Sequence, residues 1–204
     1  ESTLNIKGLT GKVNIYFDEN RIPHIEAENE EDLYFAQGFI VARDRLWQLD
    51  FQTRFAAGRL SEVIGEKAID LDKYNRRMGM GFGARNMEAF VKKDRQMHMV
   101  LDAYTAGINA YISTLKPKDY PIEFKLLDYK PENWKPINSA YLLKLMSATL
   151  AAASNDFYLS NALSKFGPEV IKDLFPNYPF REDPIIPTGT TWDFEPVPVP
   201  KVPE

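Results

Sequence analysis

The sequence has no cysteine and only two histidines among its 204 residues. The lack of cysteine excludes disulfide bridges, zinc sites built on thiolates and a cysteine nucleophile. With only His24 and His98 available, the sequence argues against a metal site made of several histidines, and a Ser-His-Asp triad would have to use one of these two side chains. These absences exclude thiol chemistry and argue against metal sites built on cysteine or histidine.

An excess of positive charge and long apolar runs are also missing. The formal net charge is −4, from 25 basic and 29 acidic residues, which argues against a nucleic-acid partner. No apolar run approaches the length that spans a bilayer, so we expect no membrane partner. The chain is 44% hydrophobic and 13% aromatic, which is typical of a well-packed globular protein.

The first residue is Glu1 rather than methionine, so the sequence is either a processed chain or a piece prepared for expression. An exported protein whose signal peptide has been removed would begin in this way. We therefore expect a periplasmic or extracellular location.

Residues 12–27 are predicted to form a β-hairpin. Val13, Ile15 and Phe17 alternate with polar or amphipathic residues, which is the period of a half-buried strand. Pro23 favours an edge position or the start of the returning strand.

Residues 29–175 are predicted to be largely helical. A first long helix is expected to begin at Asn29, a good N-cap residue, and to end at Gly58. Ser61 begins a short second helix, which Gly65 closes. The remaining residues, 176–204, are rich in proline and are predicted to form an extended tail.

Charged residues are scattered through the first long helix instead of lying on one face. Arg43, Asp44, Arg45 and Asp50 occur among large apolar residues. An amphipathic surface helix keeps its charges on one side. We therefore expect this helix to pack on more than one side, although each of these charges could equally lie in solvent.

Three glycines, Gly79, Gly81 and Gly83, occur in the segment MGMGFGAR. The spacing differs from GxGxxG and no apolar strand precedes it, so a phosphate-binding loop is not predicted. We expect instead a helical bend in which glycine allows close packing. From Ala84 to Leu115 the pattern predicts one long helix.

The second half of the helical region contains a segment rich in proline and aromatic residues. We expect an ordered loop at 117–139, a cap at Ser139, and helices at 140–153, 155–166 and 169–174.

Several segments together resemble the penicillin acylase family of N-terminal-nucleophile hydrolases. They are QGFIVARDRLWQLDFQTRFAAGRLSEVIG at 37–65, NRIPHIEA at 20–27, EFKLLDYKPENWKP at 123–136 and SKFGPEVIKDLFPNYP at 164–179. They occur in the family's order and cover most of the chain. The resemblance implies an α+β fold. In it, a mostly helical small (α) chain completes a four-layer αββα sandwich with a large (β) chain cut from the same precursor.

In that family an N-terminal serine of the large chain hydrolyses an amide bond. The resemblance therefore implies that this chain carries no catalytic residue and is inactive alone. The expected substrates are small N-acyl compounds, either penicillin-type β-lactams or acyl-homoserine lactones. His24 is then expected to be structural, and no organic cofactor is expected.

The segment MSATLAAASND, residues 146–156, resembles the family's pocket helix without a gap. The resemblance places Met146, Thr149 and Leu150 at substrate-binding positions. Leu150 stands where penicillin G enzymes have an aromatic residue, and Thr149 stands where they have a basic one. Met146 and Leu150 are four residues apart and therefore lie on one helix face. A methionine and a leucine at this spacing are, however, more often simply core residues.

Asp156 stands where the family often has a glutamate that binds a structural calcium. Aspartate is also a hard oxygen ligand, but its side chain is one methylene shorter. The competing interpretation is that Asp156 is an ordinary helix N-cap.

The alternative to an acylase subunit is a different class of function, namely a non-enzymatic helical binding module that uses its proline-rich tail for docking.

Overall fold

The structure, a computed structural model, describes residues 3–151, 155–175, 185–187 and 189–191. It contains two compact units, Glu1–Ala151 and Ala152–Glu204, and each is described by itself. The prediction of an extended tail falls almost wholly on residues outside the described ranges.

The first unit begins with a two-stranded antiparallel sheet and continues as a series of helices. The strands are β1 (Val13–Phe17) and β2 (Pro23–Ala27). The helices are α1 (Glu30–Ala57), α2 (Ser61–Ile64), α3 (Ile69–Arg77), α4 (Met80–Val91), α5 (Arg95–Thr114), α6 (Ile122–Leu126) and α7 (Pro136–Leu150). Short 3-10 turns lie at Gly65–Ala68 and Pro117–Asp119.

The second unit contains α8 (Asp156–Phe166) and α9 (Pro168–Leu174). The described chain is therefore mostly helical with one small sheet, which agrees with the predicted α+β class. None of its described helices is long and apolar enough to cross a bilayer.

The predicted hairpin is confirmed. Val13 pairs with Ala27 and Phe17 pairs with Pro23, which is the first residue of the returning strand. Asp18 organises the turn because its Oδ1 accepts hydrogen bonds from the backbone N–H groups of Asn20 (2.9 Å) and Ile22 (2.8 Å). The hydrogen bond from Ile22 is the main reason why the pKa of Asp18 is lowered.

Both predicted ends of α1 are confirmed. Asn29 is the N-cap, and its Oδ1 accepts a hydrogen bond of 2.8 Å from the backbone N–H of Asp32. Gly58 ends the helix at φ 65°, a left-handed conformation that glycine adopts without a steric penalty. The short helix from Ser61 to Gly65 is confirmed as well.

Asp32, in the first turn of α1, fixes the segment that precedes the hairpin. Its buried carboxylate accepts hydrogen bonds from the Thr10 backbone and hydroxyl, from the Gly11 backbone and from the Asn29 amide, at 2.8–2.9 Å. Burial raises the pKa of Asp32, but the hydrogen bonds outweigh burial and leave the pKa below its ordinary value.

Helices α1 and α5 cross at two buried glycines. A Cβ on Gly38 would lie 2.1 Å from the Tyr104 carbonyl oxygen, and a Cβ on Gly107 would lie 1.9 Å from the Phe35 carbonyl oxygen. The two backbones are therefore in direct contact. The main apolar core lies beside this crossing and consists of Ala42, Leu46, Leu49, Ile108, Phe124 and Trp134.

The prediction of one helix from Ala84 to Leu115 is wrong. Helix α4 ends at Val91, and α5 begins at Arg95 after a short turn. Asp94 is the N-cap of α5, and its Oδ1 accepts a hydrogen bond of 2.9 Å from the backbone N–H of Met97. This cap stabilises a helix start within the polar run KKDRQ, residues 92–96.

The glycine-rich segment separates α3 from α4. Gly79 has φ 75° and precedes the first residue of α4, so the expected bend is confirmed. Gly81 and Gly83 lie within α4 and face α7, where Cβ atoms on them would be 3.2 Å from the Tyr141 hydroxyl and 3.3 Å from Lys144 Cδ. The expected close packing is confirmed for these two glycines.

The prediction of a cap at Ser139 is also wrong. Helix α7 begins at Pro136, whose fixed φ and missing N–H suit the first turn of a helix. Ser139 lies inside the helix and its Oγ accepts a hydrogen bond of 3.1 Å from Trp134 Nε1. The helix ends at Leu150, before the predicted end at 153, and residues 152–154 lie outside the described ranges.

The charges of α1 have two different roles. Arg54 is only 5% exposed, and it pairs with Asp50 (2.8 Å), Glu62 (2.8 Å) and Glu132 (3.0 Å). Helix α1 packs against the hairpin and against α3, α4, α5 and α7. The expected packing on more than one side is therefore confirmed, whereas Arg43 and Asp44 form an exposed pair at 2.8 Å.

The network around Arg54 is electrostatically coupled. The hydrogen bond from Arg59 is the main reason why the pKa values of Glu62 and Glu132 are lowered. Burial is the largest single influence on Arg54 and opposes its charge, but the interactions with Asp50 and Glu132 together outweigh burial and leave the pKa of Arg54 raised. Glu62 and Glu132 therefore stay ionised in the folded chain. Glu132 connects α1 to the loop before α7 through its ion pair with Arg54.

Candidate substrate-pocket wall

Helix α7, which carries the predicted pocket residues, is anchored at its N-terminal end. The backbone N–H of Trp134 donates to Asn109 Oδ1 (2.7 Å), and Asn109 Nδ2 donates to the Trp134 carbonyl (2.9 Å). Trp134 is buried, and its indole also bonds to Ser139 in the first turns of α7. Helix α5 therefore fixes the point from which α7 extends.

The C-terminal half of α7 is exposed and largely apolar. Met146 is 54% exposed and Leu150 is 75% exposed, and their spacing of four residues places them on one face. Leu143, one turn earlier, lies on the same side and is also exposed. These three residues are called the α7 stripe below. The structure thus brings two of the three predicted substrate-binding residues together outside the core.

Thr149 lies at the flank of the α7 stripe. Its Oγ1 donates a hydrogen bond of 2.9 Å to the Leu145 carbonyl within the same helix. Because the hydroxyl proton is already used, Thr149 can only accept a hydrogen bond from a ligand in this arrangement. Its role in binding stays a prediction, as do those of Met146 and Leu150.

An apolar groove continues from the α7 stripe between α1, α4, α5 and α7. Its volume is about 610 Å³, and Leu143 contributes to its wall together with Met87, Val91, Met97 and Val100. No local pattern in the sequence predicts this groove, because its residues come from helices far apart in the chain. Methionines at its wall favour adaptable apolar contacts.

Asp156 is the first residue of α8, in the second unit. The N-cap position belongs to Asn155, so the interpretation of Asp156 as the N-cap is wrong by one residue. Within the described ranges, no group of three or more His, Asp or Glu side chains could hold a metal ion.

Large apolar side chains are exposed on several faces of the described chain. Beyond the α7 stripe, the most exposed are Leu4, Phe82, Phe90, Ile122, Leu126, Phe157, Tyr158 and Ile185. Soluble monomers expose single apolar residues routinely, but contiguous apolar patches mark sites of interaction. The α7 stripe with its adjoining groove is such a patch.

Comparison with known structures identifies the fold as that of a penicillin acylase chain. The thermostable penicillin G acylase from Alcaligenes faecalis matches with a TM-score of 0.68 and 22% sequence identity, over 89% of this chain and 97% of that chain. The family model for penicillin amidase matches residues 12–190. The chain belongs to the penicillin amidase family, as its sequence motifs predicted.

Two kinds of acylase are among its curated relatives. The penicillin acylase 2 proenzyme of Pseudomonas sp. (strain SE83) is 37% identical over 74% of this chain and 19% of its own length. The acyl-homoserine lactone acylase QuiP of Pseudomonas syringae pv. syringae (strain B728a) is 30% identical over 89% of this chain and 22% of its own length. The chain thus spans about a fifth of the length of the curated relatives it matches.

Proposed function

We propose that this chain is the small (α) subunit of a heterodimeric acylase that hydrolyses the amide bond of N-acyl compounds. A large (β) chain from the same precursor would carry the N-terminal serine nucleophile. This chain would supply part of the wall of the acyl pocket, through the α7 stripe and Thr149. The substrates would be penicillin-type β-lactams or acyl-homoserine lactones, the two classes named by its relatives.

One observation carries the proposal. A single chain of a solved penicillin G acylase is matched over 97% of its length by 89% of this chain. This chain therefore corresponds to nearly a whole chain of that solved enzyme. The curated relatives, in contrast, are about five times longer than the part that this chain matches. A relative named as a proenzyme supports a precursor that is processed.

The proposed chemistry needs no histidine. A free α-amino group has a pKa near about 8, so it can accept the proton of its own serine hydroxyl at neutral pH. Attack on the amide carbonyl gives a tetrahedral intermediate that fixed hydrogen-bond donors stabilise. Its C–N bond then breaks, and the amine leaves with the proton that the α-ammonium group had taken from the serine hydroxyl. Water hydrolyses the remaining acyl-serine ester, which releases the acid and restores the serine. The contribution of this chain is to bury the acyl group against Met146 and Leu150.

Replacing Leu150 with alanine is expected to weaken binding of aliphatic acyl groups in the assembled enzyme. Losing the contact of a buried leucine removes about 1.5–3 kcal/mol, which corresponds to a rise in KM of about tenfold or more. The measurement is kcat and KM for a series of N-acyl substrates of increasing chain length. L150F is expected to shift the preference toward shorter acyl groups, since a larger side chain shortens the pocket.

Ala148→Ser is the control for Leu150→Ala. Ala148 is exposed on the same helix but faces away from the α7 stripe, because it is two residues, or about 200° around the helix, from both Met146 and Leu150. It is expected to leave both kinetic constants unchanged. If L150A and A148S behave alike on every acyl chain length, the α7 stripe is not part of the acyl pocket.

We also propose that Asp156 gives one carboxylate oxygen to a structural calcium shared with the large chain. The chemistry of the ligand fits, because calcium prefers hard oxygen donors. D156N is expected to lower the calcium content of the purified two-chain protein by one ion, measured by elemental analysis, whereas D173N on α9 should not. Equal calcium contents in the two variants would contradict this role.

The periplasmic or extracellular location stays a prediction, which cell fractionation would test.

A further inference from the structure

Three arginines line one cleft between the hairpin turn and the middle of α1. The cleft has a volume of about 690 Å³, and its walls are Phe17, Asn20, Arg21, Arg43, Asp44 and Arg45. It is made entirely from the first unit and includes none of the predicted pocket residues. We call it the arginine cleft.

The hairpin turn holds Arg21 in an unusual backbone conformation. Its φ is 61°, in the left-handed region that residues with a side chain rarely adopt. The Arg21 N–H donates to the Asp18 carbonyl (2.9 Å), and the side chain of Asp18 fixes the backbone on either side of Arg21. A left-handed arginine costs about 1 kcal/mol or more, and such strain is concentrated at functional positions.

On the other wall, α1 is interrupted at Arg45. This residue has φ −140° and ψ 22°, which is outside the helical region, within a helix of 28 residues. Kinks usually follow from proline or from glycine, but no proline lies in α1 and its glycine, Gly38, is seven residues away. In a regular helix the side chains of residues 43 and 45 would project about 200° apart. At this kink both line the same cleft.

The cleft has unbalanced positive charge. Arg43 is paired with Asp44 through two contacts (2.8 and 3.2 Å), and its guanidinium lies 4.7 Å from the centre of the Phe17 ring. No carboxylate of the described residues lies within ion-pair distance of Arg21 or Arg45. Arg45 donates a hydrogen bond of 3.4 Å to the Asp44 backbone carbonyl. Among the residues that line the cleft, three guanidinium groups therefore stand against one carboxylate.

We propose that the arginine cleft binds an acidic side chain of the large chain, so that this contact orients the two chains. The proposal rests on the proposed function. A guanidinium group matches a carboxylate through two parallel hydrogen bonds. Phe17 is 44% exposed, lines the cleft and adds apolar area beside the charges. Arginine beside an exposed aromatic side chain is typical of the centre of a protein interface, whereas a small hydrated anion would leave that area uncovered.

Cross-linking tests which chain supplies the carboxylate. The full-length gene is expressed with R45K, and the purified two-chain protein is treated with a carbodiimide, which joins an amine to a carboxylate in direct contact. We expect a cross-linked peptide between position 45 and an acidic residue of the large chain, identified by mass spectrometry and missing from the wild type. Coupling to this chain alone, or no coupling at position 45, would overturn the proposal.

Charge reversal tests whether the contact holds the chains together. R21E/R45E is expected to raise the rate of chain dissociation in urea by at least about tenfold, because like charges then meet at the interface. R77E/R95E is the matched control, since both residues are exposed arginines of this unit and the change in charge is the same. Equal dissociation rates in the two variants would overturn the proposal and leave the heterodimer intact. If no larger chain copurifies with the wild type, the proposed function itself fails.

Discussion

Gly107→Ala is expected to prevent folding of the small chain or to destabilise it by about 3 kcal/mol or more. A Cβ at this position would lie 1.9 Å from the Phe35 carbonyl oxygen and 2.9 Å from the Phe39 backbone nitrogen. These atoms belong to the backbone of α1 and cannot move aside like the end of a flexible side chain. The two helices would have to separate, and the core around Ile108 would open.

Urea unfolding of the purified protein measures this effect, and Gly83→Ala provides the control. Gly83 also lies within a helix, but the nearest atom to its added Cβ is Lys144 Cδ at 3.3 Å, in a flexible side chain. Alanine is favoured over glycine in a helix by about 1 kcal/mol, so G83A should be neutral or mildly stabilising. Equal midpoints for G107A and G83A would show that α1 and α5 are not in direct backbone contact.

Arg54→Met is expected to destabilise the protein by about 3–5 kcal/mol, because it removes one partner of a buried ion network. Asp50 would keep the Tyr129 hydroxyl, which donates to it at 3.0 Å, but would lose its cation. Glu132 would lose one of its two arginine partners, and the loop that leads into α7 would be held less firmly. The size of the effect comes from leaving a carboxylate in a largely buried site, and not from the net strength of the ion pair.

Lys92→Met is the control for Arg54→Met. Lys92 pairs with Glu88 at 3.1 Å on the exposed side of α4, and exposed pairs of this spacing contribute only about 0.3–0.5 kcal/mol. Thermal and urea unfolding of both variants give the comparison. A loss of less than about 1 kcal/mol in R54M would mean that water reaches the network and screens it.

Local signals in the sequence were enough to predict the ends of many elements. Asn29 and Gly58 mark the ends of α1 because an N-cap side chain and a left-handed glycine act within a few residues. The break before α5 is not predicted because Asp94 caps it within the polar run KKDRQ, which a continuous helix could also carry on an exposed turn. Ser139 was misassigned because the partner it serves, Trp134, is a buried side chain whose position depends on contacts with α5.

For the candidate site, the structure tests only where the predicted residues lie, and their role in binding stays a prediction. The spacing of Met146 and Leu150 together with the family resemblance placed them on one helix face, and the structure shows that this face is exposed. The groove beside Leu143 and the arginine cleft could not be predicted, because each depends on how separate elements meet. No local pattern indicated the left-handed Arg21 or the interruption of α1 at Arg45.

The measurement that tests the central claim most directly is intact mass together with N-terminal sequencing of the protein purified from its full-length gene. We expect two chains that copurify, one containing this sequence and a larger one whose first residue is serine. A single uncut polypeptide, or this chain folded and monomeric without a partner, would contradict the account. The second result would favour a helical binding module over an acylase subunit.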